Sequence, residues 1–238
     1  TGFDLSASLR QGAAYFGTKQ WNNAFVRMFG YAKSKSSLDE LEASMYNNKY
    51  SDQAMEVKRD LGLTMLGETF TQREEAFASK FIRHIPLLKN SERAYEGFLN
   101  DVRFNRFVDV LGQLDKAGNG ITDNKQAMKD LAKVIAAATG RGELYAFEQS
   151  AKGLSTILFS PRFLVSRFQI MYNPIVKNGA ARIEAAKSLA RIAGISVAVV
   201  GLAKMAGGSV EDDTRSSDFG KLKVGDTRFD LTFGIDFQ

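Results

Sequence analysis

The sequence predicts a mainly α protein, an irregular multi-helix bundle that ends in a β-hairpin. Three observations lead there. Only three prolines, at 86, 161 and 174, occur in 238 residues rich in helix-forming Ala, Leu, Lys, Glu and Gln. Apolar positions recur three and four apart along most of the chain. After Gly207 the period falls to two.

From Asp4 to Tyr31, Leu5, Leu9, Ala13 and Phe16, then Trp21, Phe25, Met28 and Phe29, mark two short amphipathic helices broken near Gly17 and Thr18. Lys33 to Ser37 is a connector. Ser37 with Glu40 offers a capping box to a helix carrying Leu38, Leu41 and Met45. A further helix precedes Leu61, and Thr71 with Glu74 gives a second cap before Ala76, Phe77, Phe81 and Ile82, a helix that Pro86 ends or bends. The longest stripe, from Ser91 to Leu114, belongs to a central helix stopped by Gly118, Asn119 and Gly120. Thr122 or Asp123 starts the next, which carries Met128, Leu131, Val134 and Ile135 as far as Gly140, and another follows Gly142. Pro161 suits a first helical turn and Pro174 closes that piece; Lys177 to Met205 then reads as one long helix. In the C-terminal part, Leu222 and Val224 alternate with Thr227, Phe229 and Leu231 about Gly225 and Asp226, a turn composition favoured by tight hairpins. That turn sets Val224 opposite Thr227, Leu222 opposite Phe229 and Lys221 opposite Asp230. The expected organisation is a helical region over 1–140, basic and apolar helices over 141–210, and a hairpin with its tail over 211–238. A start at Thr1 and an apolar tail suggest part of a longer chain.

Composition excludes much chemistry. With no cysteine and one histidine, His84, the chain has no disulfide framework, thiolate zinc site, nucleophilic cysteine or two-histidine metal site. Neither Gly118-Asn119-Gly120 nor Gly140-Arg141-Gly142 follows a strand or precedes the Lys and Ser or Thr of a phosphate-binding loop, so both read as helix stops. The adjacent pairs Glu74–Glu75 and Asp212–Asp213 diverge on a helix and read as solvated. His84 reads as a helix-terminus residue. No catalytic residue, cofactor, metal or small-molecule substrate is expected.

Charge is unevenly placed. Net charge is +5, yet residues 160–210 hold seven cations against the single acid Glu184, and the rest is nearly balanced. An anionic partner, lipid or DNA, would meet Arg162, Arg167, Lys177, Arg182, Lys187 and Arg191; the plain alternative is a solvated face or pairing with acids elsewhere. Phe163 and Phe168 beside Arg162 and Arg167 could add an aromatic element to that surface. Between Arg191 and Lys204 lie twelve uncharged residues, Ile192 to Ala203, with small Ala190, Gly194 and Ala198 on one stripe. Ile192, Gly194, Ile195, Val197, Ala198, Val199, Val200, Gly201 and Leu202 are thus candidates for helix packing or membrane contact. A run of this length is more often buried core, since a spanning helix needs about 20 apolar residues.

Three stretches stand together: Ala138 to Leu144, Ser160 to Gln169, and Ser216 to Lys221 continuing through Asp230 and Leu231. In this order, with a small-residue apolar helix between the last two, they resemble a module of the large polyvalent proteins of tailed phages, including internal virion (ejection) proteins. The resemblance covers the second half well and the first loosely. It implies a non-enzymatic structural protein carried in the virion interior and delivered with the genome to the host envelope or cytoplasm. Its partners would be other virion proteins or copies of itself, with an anionic membrane or DNA as further candidates. A nucleic-acid-binding module and a carboxylate-dependent hydrolase domain are the alternatives.

Overall fold

A computed structural model describes residues 6–65, 86–143, 161–211, 215, 221–224 and 227–230. In chain order these form α1 (Ser6–Arg10), a 3-10 turn (Ala13–Tyr15), α2 (Lys19–Lys33), α3 (Ser36–Tyr46), α4 (Ser51–Glu56), α5 (Lys58–Leu61), α6 (Pro86–Lys116), α7 (Lys125–Ala138), α8 (Pro161–Val176) and α9 (Gly179–Met205). Strands β1 (Ser209–Val210), β2 (Lys221–Val224) and β3 (Thr227–Asp230) follow. The architecture is mainly helical, as the sequence period requires.

The bundle is built around α6, which at 31 residues is about 46 Å long. Phe98, Val102, Phe107 and Leu111 are fully buried on it. They meet Trp21, Met28 and Tyr31 of α2, Leu41 and Met45 of α3, and Met128, Leu131 and Ile135 of α7 in one apolar core. Trp21 stacks on Phe25 with centroids 4.8 Å apart and presents its edge to Phe98, while its indole N–H donates to the Ser8 carbonyl at 3.3 Å. Residues 101–104 and 106–108 are all buried, and on this stretch of α6 only Asn105 and Asp109 remain partly open to water. Its polar groups are therefore bonded internally. Asp101, whose carboxyl is raised above the ordinary range by burial, accepts from the Tyr31 hydroxyl at 2.7 Å and lies 3.1 Å from Arg27 Nε. Arg103 reaches the ends of two helices, donating to the Gly62 carbonyl at 2.8 Å after α5 and to Thr139 Oγ1 at 2.7 Å after α7. A cation at helix C-termini is the favourable sense of the macrodipole.

Local signals depart from the sequence reading at three points. Thr18 does cap α2, accepting from the Trp21 N–H, but α3 begins at Ser36 with Ser34 Oγ receiving the Ser36 N–H, so Ser37 and Glu40 form no capping box. Asn124, rather than Thr122 or Asp123, caps α7 by accepting from the Ala127 N–H at 2.9 Å. Pro86 opens α6, a position where its missing N–H removes no helical bond; the helix expected to end there lies outside the described residues. Pro174 does not close α8: the helix runs to Val176 and the Lys177 N–H still bonds the Asn173 carbonyl, because proline removes only its own donor.

The strands form one antiparallel sheet in the order β1-β2-β3. Lys221, Leu222, Lys223 and Val224 pair with Asp230, Phe229, Arg228 and Thr227, the register inferred from the sequence. The two-residue β1 is an addition that periodicity could not reveal. The proposed turn at Gly225 and Asp226, the cap at Thr71, His84, Glu74–Glu75, Asp212–Asp213, the helix after Gly142 and the tail all lie outside the described residues.

Candidate functional site

The base of α9 is fastened to α6 through its one acid. Glu184, buried to 2% exposure, receives Arg106 Nε at 2.8 Å and Arg106 Nη2 at 2.6 Å, a two-pronged pair, while Arg106 Nη1 reaches Asp109 Oδ2 at 2.9 Å. Burial alone would lower the Arg106 guanidinium, but the bond and charge of Glu184, with Tyr15 and Asp109, together outweigh it and hold its pKa above the ordinary value. The ring of Tyr15, fully buried, lies beside Arg106 and Arg191, with cations 5.9 and 5.7 Å from its centre. Burial, reinforced by Glu184, raises the Tyr15 phenol well above its usual range. A phenol raised in the folded state contributes stability that is complete below the unfolded pKa of about 10 and is lost as pH climbs past it. Alkaline denaturation monitored by circular dichroism should therefore be less steep in Tyr15→Phe than in the native chain.

The six candidate cations do not share one surface. Arg167 is 3% exposed: its Nη2 donates to the Arg10 carbonyl at 2.9 Å, its guanidinium lies 4.3 Å from the Phe163 ring, and burial together with Arg10 lowers its pKa to about 10. Lys177 is held by Asp130 at 2.6 Å, and Arg191 turns inward, 3.9 Å from Glu184. These three are withdrawn from the expected anion-binding set because the fold supplies their partners. Phe163 is withdrawn with them, its ring lying against Arg167 and Arg10. Arg162 is half-buried and donates to the Gly142 carbonyl at 3.3 Å. Arg182 and Lys187 are exposed and make no ion pair among the described residues.

The apolar run divides in a different way. Ile192 is core, packed in the main cluster, and so leaves the candidate docking set; Ala203, the last residue of the run, is buried as well. Ile195, Val199 and Val200 are half-buried. Gly194, Val197, Ala198, Gly201 and Leu202 face water, with Val197 72% and Leu202 66% exposed. Only about a sixth of the most apolar 18-residue window of α9 is buried. The second half of the helix therefore keeps one side against the body and turns outward an apolar side that nothing in the described fold covers, which runs against the expectation of ordinary core.

Elsewhere, an open cleft of about 360 Å³ lies between α2, α6 and the turn after α3, lined by Lys19, Gln20, Asn23, Arg27, Lys49 and Asp109 among others. A carboxylate-dependent hydrolase needs two convergent acids. Here Asp109 Oδ2 already accepts from Arg106 and Gln113 at 2.9 Å each, and Asp101, though raised in pKa, is sealed from solvent. Among the described residues no group of three or more His, Asp and Glu is placed to hold a metal ion. The sequence reading missed Arg106, the cation that anchors α9; its one clue was Glu184, alone among basic residues. Comparison of the chain with protein families, with curated proteins and with solved structures finds no match.

Proposed function

We propose that this chain is a non-enzymatic docking module of a phage internal virion or ejection protein, working by assembly through the exposed apolar side of the second half of α9. The exposure of Val197 and Leu202 on a helix whose base is bolted to the core is the observation that carries the reading. Large apolar side chains held outward on a rigid support cost solubility unless a partner covers them. The resemblance of the Ala138–Leu144 and Ser160–Gln169 stretches to phage polyvalent proteins supports a virion setting. Because the chain has no native cysteine, Val197→Cys is a clean probe. It should be alkylated readily in the isolated chain and shielded in the assembled virion; equal reactivity in both states would reject the docking role.

A nucleic-acid role is less favoured, since Arg167, Lys177 and Arg191 already have partners within the fold. With at most three of the six cations available, any DNA binding should show a log–log salt slope no steeper than about −3. A slope near −5, measured by fluorescence anisotropy, would restore the full cationic set and that alternative.

A further inference from the structure

The outer surface of the last two helices carries one sign of charge and several exposed apolar groups. On α8, Met171, Tyr172 and Ile175 recur at helical spacing and are 44%, 56% and 76% exposed. On α9, Ile183, Val197 and Leu202 are exposed along a helix of about 40 Å. Arg182, Lys187 and Lys204 stand in solvent on α9, α8 has no acid at all, and the one acid of α9, Glu184, is buried against Arg106. No carboxylate on either helix faces outward. A second copy of this chain laid on this surface would therefore bring cation against cation with nothing to offset them. An anionic lipid surface fits instead, taking the cations at its phosphates and the aliphatic and aromatic groups at the acyl boundary.

We propose that the outer faces of α8 and α9 form a single lipid-binding surface that lies in the headgroup region of an anionic bilayer, without crossing it; the proposal rests on the docking reading and gives the same surface a second partner, met once delivery has freed it from the virion. By length and composition alone α9 could span. It does not, because its first half is tied to α6 by the Arg106–Glu184 pair and carries Arg182 and Lys187. The uncharged remainder, twelve residues from Ile192 to Ala203, covers only about 18 Å, short of a hydrocarbon core of about 30 Å. Tyr172, with an apolar ring and a polar tip, is the side chain such a boundary favours.

The test places an environment-sensitive fluorophore on Tyr172→Cys or on Val197→Cys in the full chain and adds vesicles of phosphatidylcholine alone or of equimolar phosphatidylcholine and phosphatidylglycerol. Both labels should shift to the blue with the anionic vesicles, the chain should float with them, and binding to neutral vesicles should be roughly 100-fold weaker, as three headgroup contacts imply. Arg182→Gln, Lys187→Gln and Lys204→Gln combined, a folded chain by circular dichroism, should lose that preference. A shift at position 197 alone would overturn the two-helix surface, and quenching of that label by iodide trapped inside the vesicles would overturn the interfacial geometry. Failure to float with either vesicle would overturn the lipid partner. If the thiol of the Val197→Cys variant were then still shielded in the virion, the docking role would stand with a protein partner, whereas loss of that shielding would remove the docking role itself.

Discussion

Glu184→Ala should destabilise the protein by about 3–5 kcal/mol, the range expected when one member of a buried ion pair is removed and the other is left without its counter-charge. Arg106, buried to 5% exposure, would keep only Asp109, whose carboxylate is shared with Gln113. Urea denaturation followed by far-ultraviolet circular dichroism measures the loss directly. The double variant Arg106→Met with Glu184→Leu should recover most of it, since two apolar side chains of similar volume replace the pair without leaving a buried charge. If the single variant lost less than about 1 kcal/mol, the pair would be solvated and α9 would not be fastened as described. The same single variant carries a second readout. A fluorophore on Val197→Cys should gain mobility when the base of α9 is released, because the second half of the helix has no other deep anchor beyond Ile192 and Ala203.

Most of the helical architecture was legible because amphipathic periodicity depends only on which side of a helix meets the core. The breaks at Gly17 and Gly118 were visible for a local reason, each glycine adopting a left-handed conformation that other residues resist. Caps were less legible: Ser34, Ser37, Thr122, Asp123 and Asn124 are all chemically competent, and the choice among them falls to tertiary packing. The interior of α6 was illegible for a stronger reason. Arg103 and Arg106 sit between the apolar positions of the stripe, where solvent-facing residues would stand, yet both are buried and both guanidinia are consumed by distant partners at Thr139, Gly62 and Glu184. Spacing along a sequence contains no information about a contact between residues 106 and 184. The candidate site divides by the same logic. Lys177 and Arg191 look alike to Arg182 and Lys187 in sequence, and only the positions of Asp130 and Glu184 separate paired cations from exposed ones.

Gly142→Val should cost about 2–4 kcal/mol through overpacking and the loss of a buried hydrogen bond, and it bears on the docking surface through the placement of α8. A Cβ at position 142 would collide with the Ser166 nitrogen, the Arg162 carbonyl and the Val165 carbonyl carbon, all backbone atoms of the helix that cannot turn aside as a side chain would. The close approach exists because this segment is laced to α8: the Gly142 N–H donates to the Arg162 carbonyl at 3.0 Å, and Gln169 accepts from the Glu143 N–H at 3.1 Å while donating to its carbonyl at 3.3 Å. Gly142→Ala should show a smaller loss of the same kind, and Gly118→Ala serves as the contrast, being strained by its φ of 71° but with open space around its Cβ. Thermal denaturation of the three variants ranks them. If Gly142→Val melted with the native chain, α8 would not be seated on this segment. The outward presentation of Met171, Tyr172 and Ile175 would then lose its support, because a helix free to roll would bury those residues rather than hold them toward a partner.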